Sequence, residues 1–121
     1  MRRKSKEVKI GKIKIGGENP IAVQSMLSIP SYDIEKSILQ AKRLKAAGCD
    51  ILRIAIPDLN AVKLIGEIKE NVDIPLVADI HFDYKLAVES AHAGIDKIRI
   101  NPGNIPKTHM KEITKACRER N

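Results

Sequence analysis

Along this chain, short runs of adjacent or alternating apolar residues give way repeatedly to longer stretches in which apolar residues return every third or fourth position. The first spacing belongs to strands, the second to amphipathic helices. Residues 8–15, VKIGKIKI, alternate apolar and basic positions around Gly11 and run into GGENP, which predicts a small hairpin ending in a turn. After Pro20 comes the apolar run IAVQSM (21–26). Ser31 and Asp33 then offer N-caps to a helix whose Ile34, Ile38, Ala41 and Leu44 share one face and which Gly48 stops. ILRIAI (51–56) reads as the next strand, and Pro57-Asp58 opens a helix with Val62, Ile65 and Ile68 turned inward. PLVADI (75–80) leads to Asp83, placed to cap a helix that Gly94 stops. KIRIN (97–101) leads through a Pro102-Gly103-Asn104 turn to a last helix from Thr108, with Met110, Ile113 and Cys117 aligned.

The reading is an α/β chain: a basic N-terminal hairpin over residues 1–19, then four β-α units over residues 20–121. Strands that alternate with helices require right-handed crossovers and a parallel sheet. The phrases AGCDILRI (47–54) and AGIDKIRI (93–100) repeat across two units, so each unit averages about 23 residues, a size compatible with an eight-unit TIM barrel of ~250 residues. These residues would then form half a barrel. The competing architecture is a four-stranded doubly wound sheet, but no GxGxxG fingerprint follows any strand, so dinucleotide binding has little support.

Strand alternation also sorts the polar residues. In ILRIAI, Leu52, Ile54 and Ile56 face the helices while Ile51, Arg53 and Ala55 face the other way; in KIRIN, Lys97, Arg99 and Asn101 lie opposite Ile98 and Ile100. Asp79 and His81 share one face of their strand, as do Gln24 and Met26 of the first. In a barrel, alternate strands share a layer, which predicts Arg53 and Arg99 at similar height across the interior. Two buried guanidiniums need neutralising, and one carboxylate, Asp79, cannot serve both equally. Either an anionic ligand such as phosphate occupies their planar forks, or Arg53, Asp79 and Arg99 form an internal salt-bridge network. Asn101 stands at the carboxyl end of its strand, where barrel enzymes keep site residues. His81 suits proton donation, a hydrogen bond to phosphate or a purely structural role. His92 and His109 fall on helices and are expected to face solvent. Asp79 and His81 are too few for a metal site.

Composition narrows the class further. The 121 residues are 43% hydrophobic, enough for one folded domain, and no apolar stretch has the length of a membrane span or the layout of a signal peptide, so a cytoplasmic protein is expected. Of the net charge of +7, +5 lies in residues 1–19, where seven Lys and Arg face only Glu7 and Glu18. Aromatic content of 2% supplies no stacking platform, so nucleic-acid binding through this end is expected to be weak and salt-dependent. Cys49 and Cys117 lack metal or disulfide spacing and read as small core residues.

The strings VKIGKIKIGGENPIAVQSM, AAGCDILRIAIPD, IPLVADIHFDYKLA and AGIDKIRINPGNI together resemble the N-terminal part of the 4-hydroxy-3-methylbut-2-en-1-yl diphosphate synthase family. The resemblance runs along nearly the whole chain. It implies a TIM barrel joined to a C-terminal domain with a [4Fe-4S] cluster. It further implies reductive opening of 2-C-methyl-D-erythritol 2,4-cyclodiphosphate in isoprenoid biosynthesis, with electrons from ferredoxin or flavodoxin. It gives Arg53 and Arg99 the diphosphate grip, with Asn101, Asp79 and His81 as supporting pocket residues. The family's cluster ligands have no counterpart here, and Leu27, Ser28, Ile29 and Pro30 replace its polar, threonine-rich loop, so an N-terminal fragment without activity of its own is expected. The alternative is a non-catalytic half-barrel module that assembles as a homo-oligomer through its open sheet edges.

Overall fold

A computed structural model of the chain describes residues 4–29, 33–81, 83–101, 105 and 107–120, the last by its backbone only. Strands β1 (Val8–Ile10) and β2 (Ile13–Ile15) form the hairpin. There follow β3 (Gln24–Met26), α1 (Ile34–Ala46), β4 (Ile51–Ala55), α2 (Leu59–Asn71), β5 (Leu76–Ile80), α3 (Tyr84–His92), β6 (Lys97–Ile100) and α4 (Lys107–Arg120). The hairpin pairs antiparallel, Val8 opposite Ile15. The other strands form one parallel sheet in the order β3-β4-β5-β6, so each strand lies beside its neighbour in sequence.

All four helices cover one face of that sheet. Leu52, Ile54 and Ile56 of unit two, with Leu76, Ala78 and Ile80 of β5, pack against Ala41, Ala61, Leu64, Ile65, Ile68, Ala87 and Ile113 in a single core, with Ile98 and Ile100 at its margin. A doubly wound sheet would carry helices on both faces. Here the second face holds a smaller cluster, in which Ile10 of the hairpin meets Ile51 and Val77, with Ile13, Ile15 and Ala22 around them. The hairpin therefore seats its apolar residues on the concave side of the sheet, at the strands' N-terminal ends.

Three aspartates start helices. Asp33, Asp58 and Asp83 accept hydrogen bonds from the backbone N–H groups of Lys36, Ala61 and Lys85 respectively, satisfying donors the first turn leaves orphaned. The Ser31 cap and the Pro102-Gly103-Asn104 turn lie outside the described residues. Inward faces are nearly as expected: in α1, Ala41 is buried and Ile38 and Leu44 pack on the core, but Ile34 is exposed and Ser37 is buried beside Ala41. The first strand of this sheet, β3, is shorter than its apolar run: among the described residues it pairs with β4 alone, and its ladder covers only Gln24–Met26.

The repeated phrase has a structural purpose at its glycine and its aspartate. Gly48 and Gly94 take φ of +103° and +93°, which a side chain would strain, and turn the chain from helix to strand. Asp50 then accepts from Val23 N at 2.9 Å, and Asp96 from Leu76 N at 2.8 Å. Each aspartate thus ties the start of its own strand to the start of the preceding one. Asp96 also accepts from Lys69 Nζ at 2.9 Å. A side chain at Gly11 would come within 3.0 Å of Asp96, so the hairpin turn rests directly on this tie.

Candidate anion-binding site

Register decides what the inward residues can reach. Met26, Arg53, Val77 and Lys97 lie in one row across the sheet, and Ala55, Asp79 and Arg99 lie in the next row toward the C-terminal ends. Arg53 and Arg99 are therefore offset by two residues, the stagger an eight-stranded barrel of shear eight accumulates over two strands. Asp79 stands beside Arg99 and diagonally above Arg53.

Its carboxylate serves both. Arg99 Nη1 donates to Oδ1 at 2.7 Å, while Arg53 donates to Oδ2 through Nε at 3.1 Å and also through Nη2. His81 Nε2 lies 3.2 Å from Oδ2. Asp79 is 1% exposed, whereas the side chains of Arg53 and Arg99 are 26% and 50% exposed. This alters the expectation from sequence in two ways. One carboxylate does engage both arginines, because it offers a different oxygen to each. Neither guanidinium is fully buried, because both lie on the sheet's open concave side. The internal network is present, and it still leaves two permanent cations against one anion.

Burial alone would push the Asp79 carboxyl up, but the hydrogen bonds from Arg53, Arg99 and His81 together outweigh it and hold the carboxyl below its usual range. Asp79 is thus an ionised anchor that orients two planar donors. His81 stands exposed just past β5, and Asn101 is exposed just past β6. Of the five residues expected to form the pocket, Asp79, His81, Arg99 and Asn101 lie at or near the C-terminal ends of their strands, while Arg53 stands in the middle of β4 and reaches up to Asp79. Beside them opens a cleft of about 280 Å³ lined by Ala55, Ile56, Pro57, His81, Asp83 and Leu86. A larger hollow of about 510 Å³ runs along α4 past Met110, Lys111, Thr114 and Lys115 and shares no residue with the site.

Leu27 and Ser28, just after β3, are engaged elsewhere than at this site. Leu27 is buried in the main core and its N–H donates to Arg53 O at 2.9 Å, while Gln40 accepts from Ser28 N and donates to Ser28 Oγ. This clamp on α1 was not foreseen, since nothing local in the sequence joins Ser28 to Gln40. Strand alternation puts Lys97 on the Arg99 face, and the register shows that it stands level with Arg53. His109 is a correction: it is half-buried and stacks on Tyr84 with ring centroids 3.8 Å apart, joining α4 to α3. His92 is exposed.

The cysteines do not approach a shared site. Cys49 Sγ donates to Ile51 O at 3.0 Å, and burial pushes the Cys117 thiol up. Among the described residues, no group of three His, Cys, Asp or Glu side chains could hold a metal ion, and no helix is long and apolar enough to cross a membrane. The described side chains do not form a ligand set for an iron-sulfur cluster.

Comparison with known proteins adds three findings. The model of the GcpE TIM-barrel domain matches residues 5–121. A 4-hydroxy-3-methylbut-2-en-1-yl diphosphate synthase (flavodoxin) from Caldanaerobacter subterraneus subsp. tengcongensis is 54% identical over 121 residues, covering 99% of this chain and 34% of that protein. One of the same name from Bacillus cytotoxicus is 48% identical, covering 98% and 33%. The chain thus spans about a third of the length of the curated relatives it matches. Among solved structures, Yersinia pestis dihydropteroate synthase superposes with a TM-score of 0.73 at 18% identity, over 91% of this chain and 43% of that one. That likeness concerns the fold alone.

Proposed function

Because the chain belongs to the GcpE TIM-barrel domain family, we propose that its charged strand ends are the diphosphate-binding part of a 4-hydroxy-3-methylbut-2-en-1-yl diphosphate synthase. In this reading, Arg53 and Arg99 grip the diphosphate of 2-C-methyl-D-erythritol 2,4-cyclodiphosphate, the intermediate opened reductively in isoprenoid biosynthesis. Asp79 holds their forks in place, and His81 and Asn101 contribute hydrogen bonds at the rim. The observation that carries this is the meeting of two guanidiniums on one buried carboxylate, with a positive surplus, at the strand ends where barrel enzymes bind their ligands. Arginine's planar fork presents paired donors that match phosphate oxygens.

The part proposed for these residues is binding. Reduction belongs to a [4Fe-4S] cluster supplied with electrons by flavodoxin or ferredoxin, and no step of it is assigned to side chains described here. Titration calorimetry with inorganic pyrophosphate tests the reading: Arg53→Met and Arg99→Met should each weaken binding by roughly tenfold, about 1.4 kcal/mol. Equal affinity in wild type and both variants would sink it.

A second reading, assembly of two copies, is favoured by the open sheet. Ile21 and Val23 beside the β3 edge are 80% and 56% exposed, and among the described residues β6 has no strand on its outer side. Sedimentation velocity would show dimers strengthening as pyrophosphate is added, through linkage to the assembled state. A monomer at all concentrations, with or without the anion, would exclude it.

A further inference from the structure

The concave face carries one more cation than the arginine pair accounts for. Lys97 is exposed, on the face opposite the helix-packed Ile98 and Ile100, and its row contains Arg53, Val77 and Met26 but no acidic residue. Arg53 turns up to Asp79, so the residue directly beside Lys97 is the apolar Val77. Among the described residues, no carboxylate pairs with the Lys97 ammonium. Among the described residues of these two rows, one carboxylate thus faces three cationic side chains, on a surface that a completed barrel would enclose.

From this arrangement we infer that Lys97 is a third anion contact, which holds the second phosphate of a diphosphate whose first phosphate lies on Arg53 and Arg99. The inference rests on the diphosphate reading above and deepens it. Adjacent inward residues along a strand are about 6.6 Å apart, and a lysine stem spans that distance. The ammonium can therefore rise from the Arg53 row to a phosphate seated at the Arg99 row. As a compact point charge with rotatable donors, it suits an oxygen that the fixed forks of the arginines leave uncovered. A surplus of two positive charges also favours a ligand with at least two negative ones. A single phosphate, seated on the arginines, gains little from the lysine.

The experiment compares two ligands on the same 121-residue chain. Binding of inorganic pyrophosphate and of orthophosphate is measured by titration calorimetry at constant ionic strength, for wild type, Lys97→Met, Lys97→Arg and Arg99→Met, with circular dichroism confirming the fold. Lys97→Met should weaken pyrophosphate roughly tenfold while orthophosphate changes less than about twofold, and Lys97→Arg should restore most of the difference. If Lys97→Met binds pyrophosphate as wild type does while Arg99→Met loses it, the lysine contact is wrong and the arginine grip stands. Equal weakening of both ligands by Lys97→Met would show a general field effect and overturn the second-phosphate assignment. If wild type binds neither anion, the diphosphate reading fails first.

Discussion

The concave face of this sheet has two halves built on opposite principles. At the strands' N-terminal ends, Ile51 and Val77 meet Ile10 of the hairpin, and the contact is buried and apolar. One step up, toward the C-terminal ends, Asp79 and Arg99 meet the side chain of Arg53, which rises from the Val77 row, and the contact is ionic and open to solvent. The change happens within β5, between Val77 and Asp79. Hydrophobic burial gains free energy in proportion to area and needs no partner geometry, so it can close one end of a barrel permanently. Charges resist full burial, so the other end stays accessible. The difference teaches that one end is organised by apolar burial and the other by charge left open to solvent, and in TIM barrels generally chemistry is kept at the C-terminal rim.

The comparison would break most visibly at the hairpin. Ile10→Ala removes the residue that seals the apolar half, 2% exposed, and should lower unfolding free energy by about 3 kcal/mol in urea denaturation. A loss below about 0.5 kcal/mol would mean that the hairpin is an appendage. Next in size is Asp79→Asn, expected to cost about 1.5 kcal/mol, below the range for fully buried pairs because Arg53 and Arg99 both reach solvent and can rehydrate.

The same residue sharpens the contrast through pH. Asp79 has a depressed folded-state pKa, so its stabilisation is fully present above the ordinary carboxylate value near 3.9 and is lost as pH falls through the folded value. Wild type should lose stability below about pH 4 more steeply than Asp79→Asn, and parallel curves would refute the ionised-anchor role. Smaller still, Asp96→Ala should cost about 1 kcal/mol, because it leaves Leu76 N without its partner at the strand start. The smallest effect is at Lys12, whose bridge to Asp73 joins side chains that are 80% and 69% exposed. Lys12→Ala should leave the thermal midpoint unchanged within error.

Much of this was legible in the chain's own pattern. The helix-strand alternation, the glycine stops at Gly48 and Gly94 and the aspartate caps at Asp33, Asp58 and Asp83 depend on a residue's near neighbours, and the sequence states them directly. Period-two counting put Arg53, Asp79, Lys97 and Arg99 on one face, because side chains alternate on any strand whatever lies beside it. What the sequence alone could not decide is which of these residues stand level. That depends on how strands slide past one another, and the slide is set by ties such as Asp50 to Val23 and Asp96 to Leu76, each between residues at least 20 positions apart. The tertiary structure alone could therefore pair Asp79 with both arginines, stack His109 on Tyr84, fold Ser28 onto Gln40 and leave Lys97 beside Val77. Local rules act through bonds and nearest turns, whereas register is a property of the assembled sheet.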